Sequence, residues 1–90
     1  MTIAIHKRVT QRHPNLTEKE IIFAWQTALE SALRIDSPRF PECVKIGYGK
    51  SGQLIEMVGV QTEDGWLIYH AMTPPSRKTM TEIEKAKRRL

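Results

Sequence analysis

Residues 43–72 read CVKIGYGKSGQLIEMVGVQTEDGWLIYHAM, and the punctuation of that stretch decides the fold. Cys43–Tyr48 carries Val44, Ile46 and Tyr48 on one side of a two-residue repeat, as a half-buried strand does. Gly49-Lys50-Ser51-Gly52 follows as a four-residue connection with glycine at both ends. Gln53–Val60 is apolar on both faces apart from Glu56, the pattern of a central strand. Thr62-Glu63-Asp64-Gly65 makes a second turn, and Trp66–Met72 a third strand. Three consecutive strands with short turns predict an antiparallel meander.

On the N-terminal side the apolar period is helical. Thr17 stands three residues before Glu20, the spacing of a capping box, and Ile21, Trp25, Ala28, Leu29, Ala32 and Leu33 recur at helical intervals. This spacing predicts a helix over 17–34. A shorter helix is expected from His6 to the His13-Pro14 step, because the residue before a proline is pushed out of helical geometry. Residues 2–5, Thr-Ile-Ala-Ile, suit either a short edge strand or a first helical turn. Residues 36–41 carry two prolines and read as a loop. Thr73-Pro74-Pro75 ends the meander, and helical composition resumes from Ser76 to Leu90. The expected fold is α+β: two N-terminal helices, a three-stranded antiparallel meander and a C-terminal helix, with the long helix covering one face of the sheet. Ninety residues make a single domain, 1–90.

Composition narrows the function classes. Cys43 is the only cysteine, so neither an intramolecular disulfide nor a cysteine-cluster zinc site can form, and a lone thiol suits a reducing cytoplasm. The N-terminus lacks the apolar stretch of a signal peptide, and no segment is apolar enough to span a membrane. Charge is segregated. Residues 1–14 hold Lys7, Arg8 and Arg12 with no acid, and 76–90 hold six basic residues against Glu82 and Glu84. The middle of the chain is net acidic although the total is +4. Joined in space, the two basic ends form a cationic, histidine-bearing surface suited to phosphate. Left apart, they are the solvated faces of two polar helices.

The chemistry-bearing candidates lie at those ends. His70 closes the third strand, where alternation sets it beside Trp66 and Ile68; such a histidine is either a hydrogen-bonded core residue or a proton-transfer group. Ser76, Arg77 and Lys78 project a hydroxyl and two cations from a segment stiffened by two prolines. Arginine grips phosphate bidentately and lysine acts as a point charge. Arg8 and Arg12 share one helix face with His6 close by, and like charges at that spacing repel, so stability does not account for them. Three scattered histidines without a cysteine pair support no metal site, and no glycine-rich phosphate loop or G-x-S-x-G elbow occurs, so no cofactor is expected.

Three pieces of the chain resemble the small bacterial type II toxins of the RelE/BrnT kind: His6-x-Arg8-x3-Arg12-His13-Pro-x-Leu16-Thr17-x2-Glu20-Ile21, the hairpin IGYGKSGQLIEMVGV and the strand end IYHAMTPPSRK. The resemblance implies a microbial-ribonuclease-like fold, cleavage of mRNA free or on the ribosome, and a cognate antitoxin as partner. It implies a metal-independent attack of the RNA 2′-hydroxyl on the adjacent phosphate. His6, His70 and Arg77 would be catalytic, and Arg8, Arg12, Tyr48 and Lys78 would bind RNA. The chain departs from the RelE pattern after Lys78, where no tyrosine or histidine follows. The alternative is a non-catalytic RNA- or protein-binding module. In the meander, Tyr48 and His70 are expected at the same end of the sheet, roughly 9–10 Å apart. The expected site is a shallow positive cleft lined by Tyr48, His70, Arg77 and at least one of His6, Arg8 and Arg12.

Overall fold

A computed structural model of the chain describes residues 2–34 and 41–88. Its elements are β1 (Thr2–Ile5), α1 (Lys7–Arg12), α2 (Glu18–Gln26), β2 (Glu30–Arg34), β3 (Glu42–Tyr48), β4 (Leu54–Gln61), β5 (Gly65–Met72) and α3 (Arg77–Arg88). The strands form one five-stranded sheet in the order β1-β5-β4-β3-β2. β3, β4 and β5 are antiparallel neighbours, with Tyr48 opposite Leu54 and Glu56 opposite Met72. β2 extends the sheet antiparallel at one edge, Ala32 opposite Val44. β1 joins the other edge parallel to β5, Thr2 opposite Gly65.

This corrects the expected architecture of two N-terminal helices, a three-stranded meander and a C-terminal helix. The meander is only the centre of a mixed sheet, and helices cover both of its faces. The largest departure is the helix expected over 17–34, which ends at Gln26. Thr17 caps it as its spacing implies, accepting from the Glu20 amide at 3.2 Å. Glu20 does not return to the cap; its carboxylate accepts from the Ser51 amide in the β3–β4 hairpin. At the far end Thr27 caps the helix, and its hydroxyl bonds back to the Phe23 carbonyl at 2.7 Å. Beyond it, Leu29 donates to the Ile46 carbonyl and the chain becomes an edge strand. Ala28, Leu29, Ala32 and Leu33 fit a helical period, but ladder bonds and cross-strand packing outweigh that weak preference. At residues 2–5 the strand is the conformation adopted. The proline-bearing loop expected over 36–41 lies outside the described residues except for Pro41, as do the last two residues of the C-terminal helix.

The two sheet faces have separate cores. On one, Val9, Leu16, Ile21, Ala24 and Trp25 from the α1–α2 side pack on Cys43, Ile55, Met57, Ile68 and Ala71. Burial of each large aliphatic side chain among them contributes on the order of 1.5–3 kcal/mol, and of each alanine roughly 0.8 kcal/mol or less. Trp25 leans on Trp66 with ring centroids 5.6 Å apart, over Gly59, where a Cβ would sit 2.8 Å from the Trp25 ring. On the other face the core is smaller: Ala32, Val44, Ile46 and Val58 beneath Ile83. Ile83 and Thr79 are the buried residues of α3, so its burial is small and polar contacts supplement it. Among the described residues no helix is long and apolar enough to cross a membrane.

The seating of α2 on β3 gives a first test. A Cβ on Gly47 would fall 2.3 Å from the Ala24 carbonyl oxygen, so Gly47→Ala must lift the helix from the sheet. Urea denaturation should register a loss of about 1–3 kcal/mol. Leu33→Ala, at a side chain 66% exposed, should stay within about 0.5 kcal/mol of wild type. Equal stability of the two variants would contradict this packing.

Candidate functional site

The site begins with a break in strand register. Between β4 and β5 the ladder slips at Val58/Gly59: Val58 faces His70 while Gly59 faces Ile68, which leaves Tyr69 as the extra residue of a β-bulge. The bulge re-aims the chain. Ile68 and Ala71 stay in the core beneath α1 and α2, but Tyr69 packs in the α3-side cluster and His70 turns to Glu56. Simple alternation would have left His70 beside Trp66 and Ile68. One inserted residue moves it to the opposite face.

Glu56 is 4% exposed, a charged group at the centre of the sheet. Its Oε1 accepts from the Ser76 amide at 2.6 Å, and its Oε2 lies 2.7 Å from His70 Nε2. Ser76 in turn caps α3, its hydroxyl accepting from the Thr79 amide at 3.2 Å. The carboxylate therefore sits at the positive end of a helix. Burial pushes the Glu56 carboxyl up. The Ser76 amide, His70 and the hydroxyls of Ser76 and Thr79 outweigh it, so its pKa falls below the usual carboxylate value. An ionised carboxylate only accepts, so His70 Nε2 carries the proton of the shared bond. Nδ1 is left for the solvent side, where the His70 side chain is 38% exposed.

A cleft of about 390 Å3 opens there, between α1 and the start of α3, and Arg8, Arg12, Tyr69, His70, Ser76 and Lys78 are among its walls. Arg8 lies over the Tyr69 ring, 5.9 Å from its centroid, which ties α1 to β5. Burial, followed by hydrogen bonding to Glu42, pushes the Tyr69 phenol up and keeps it protonated. Arg34 also borders the cleft, but its guanidinium is taken by Glu82, at 3.0 and 3.2 Å, and by Glu42 at 3.3 Å. Among the described residues Arg8, Arg12 and Lys78 make no ion pair. The cleft thus joins one oriented imidazole to three uncommitted cations.

Of the residues singled out from sequence, His70, Arg8, Arg12 and Lys78 meet in this cleft. The other three lie elsewhere. His6 is the N-cap of α1, its Nδ1 accepting from the Arg8 amide at 3.2 Å. Arg77 points to the outer side of α3, beside Lys85. Tyr48 borders a different groove with Leu29 and Met80. His70 is level with Val58 and hence with Val44, four residues from Tyr48 along β3 and so about 13 Å away along the strand, besides two strand spacings. Sequence reasoning missed Glu56 and Tyr69 as site residues. Glu56 carried a usable signal, being the one charge in an otherwise apolar strand. Among the described residues no three His, Cys, Asp or Glu side chains converge as a metal-ligand set.

No family model, curated protein or solved structure matches the chain. The geometry of the cleft is accordingly what any functional reading rests on.

The carboxylate predicts a pH signature. Glu56→Gln leaves one of the two donors facing an amide N–H, and should lower stability at neutral pH by about 1–3 kcal/mol. The folded carboxyl titrates below the unfolded one. Its stabilising effect is therefore complete above the ordinary glutamate value of 4.5 and is lost as pH falls through the lower folded value. Urea midpoints of wild type and variant, followed from neutral to strongly acidic pH, should differ at the start and converge at the end.

Proposed function

We propose that this chain is an endoribonuclease that cleaves RNA without a metal ion, by attack of a ribose 2′-hydroxyl on the adjacent phosphodiester. The observation that carries the reading is the His70 imidazole, fixed through Nε2 by a buried carboxylate and opening through Nδ1 onto a cleft with three uncommitted cations. In this reading Nδ1 takes the proton of the 2′-hydroxyl, and Glu56 stabilises the imidazolium that forms. Arg8, Arg12 and Lys78 neutralise the charge that builds on the phosphorane oxygens, where fixed cations favour the transition state over the ground state. The 5′ oxygen leaves as an alcohol, protonated by the Tyr69 phenol or the Lys78 ammonium. The product ends in a 2′,3′-cyclic phosphate.

The sequence resemblance to RelE/BrnT toxins supplies the setting we propose: mRNA, free or on the ribosome, as substrate, and a cognate antitoxin that restrains the activity in a cytoplasmic host. The resemblance also implies a catalytic His6, but its Nδ1 is spent on the helix cap, so this reading gives His6 no catalytic part.

Purified protein should cut RNA in the presence of a chelator, leave DNA of the same sequence intact and yield cyclic phosphate ends. His70→Ala should reduce the rate by about 10²–10⁴-fold with RNA affinity nearly unchanged, while His6→Ala should lower it by little more than the loss of a helix cap explains. Tyr69→Phe separates the two proton donors. Intact RNA after incubation, both free and on ribosomes, would overturn the enzyme reading. Salt-dependent binding without cleavage would leave the chain as an RNA-binding module.

A further inference from the structure

Arg77, which the cleft does not use, belongs to a second feature. On the outer side of α3 a hollow of about 610 Å3 is lined by Arg77, Lys78, Thr81, Glu82 and Lys85. Lys78 and Glu82 also line the cleft that holds His70, so the two depressions are contiguous across these side chains. Arg77, Thr81 and Lys85 stand four residues apart and form one ridge of the helix. Arg77 and Lys85 are thus about 12 Å apart along the axis, farther than a single nucleotide spans. The hollow's floor is almost entirely the aliphatic stems of these long side chains.

The charge of this surface is uncompensated. Elsewhere on α3 the cations find acids: Lys87 pairs with Glu30, and Arg88 with Glu84 at 3.2 Å. Among the described residues Arg77, Lys78 and Lys85 pair with none. Glu82, the one acid in the hollow, would repel a phosphate, but its carboxylate accepts from Nε and Nη2 of Arg34, which offsets its charge.

We infer that the outer face of α3 is a flanking subsite for the cleft, taking the phosphates of a single RNA strand that leaves the cleft over Lys78 and runs along Arg77 and Lys85. The inference rests on the ribonuclease reading for the identity of the strand. It adds that the protein prefers substrates several nucleotides long over the minimal dinucleotide. A duplex does not fit, because the strand must bend from the cleft onto the back of a helix that forms its wall. The apolar stems offer support to a base face without reading its edge, so the subsite adds affinity and not sequence choice.

The test compares a mixed-sequence dodecamer RNA with dinucleoside monophosphates, using wild type and Arg77→Ala/Lys85→Ala. Both positions are exposed and alanine favours the helix, which circular dichroism and urea midpoints should bear out. The double variant should lower the ratio of kcat/KM on the dodecamer to that on the dinucleotides by about tenfold. In the His70→Ala background, dodecamer affinity should fall by a similar factor and the slope of log K against log salt should shrink by about 1.4, two phosphate contacts' worth. Lys19→Ala/Lys50→Ala removes the same charge from the α2 side and serves as the control. Equal losses in the two double variants would overturn the subsite and leave only bulk attraction. An unchanged ratio, with cleavage intact, would overturn it while sparing the enzyme reading. Length-dependent binding lost in the Arg77/Lys85 variant, in a wild type that cuts nothing, would sustain the subsite and sink the enzyme.

Discussion

The rest of this structure depends on the requirement that the Glu56 carboxylate be satisfied. A carboxylate 4% exposed on the central strand of a sheet is untenable without donors. The chain supplies two of them from either side, a ring nitrogen on β5 and the amide that opens α3. Meeting that demand fixes where α3 starts. It also draws the 73–76 segment over the sheet, where Thr73 donates to the Leu54 carbonyl at 2.6 Å. The histidine is oriented by the same atoms. One buried charge thereby determines the placement of a helix, the path of a loop and the aim of the imidazole.

The second helix layer illustrates how little apolar surface such an arrangement needs. α3 buries Ile83 and Thr79 and little else. Its remaining attachments are the Ser76–Glu56 contact, the Arg34–Glu82 pair and the Lys87–Glu30 pair. Part-exposed pairs such as these contribute modestly, about 1 kcal/mol or less each. The weight of docking falls on Glu56 and Ile83. Glu30 and Arg34 lie on the face of β2 that looks at α3, with Ala32 between them against Ile83. The short edge strand and the last helix therefore specify each other.

This mutual dependence explains what the sequence disclosed and what it withheld. β3, β4 and β5 were legible because their signals are local: a two-residue repeat, glycine-bearing turns, and for β4 the apolar run of a strand covered on both faces. The Thr17 cap was legible for the same reason. β2 was not, since Ala32 and Leu33 continue the helical period of Ala28 and Leu29, and only pairing with β3 and charges on α3 make residues 30–34 a strand. The site divides along the same line. Arg8 and Arg12 stood out as cations in an acid-free segment, and Lys78 by its place after two prolines. The bulge at Tyr69 has no local marker, and it decides on which face His70 emerges. Glu56 could be seen as an anomaly in its strand, but its partner lies fourteen residues away, across that bulge.

The pairing of β1 with β5 sets the order of events during synthesis. Thr2 lies opposite Gly65, so the first strand of this sheet to be made docks against the last. Neighbouring hairpins can close over short loops, while this parallel contact must wait for most of the chain and carries the longest loop-closure entropy in the sheet. At about 5–20 residues per second, the segment from residue 2 to 5 spends several seconds with its ladder groups unpaired. It is only four residues long and half exposed even when docked, which makes it a poor template for stray strand pairing during that wait.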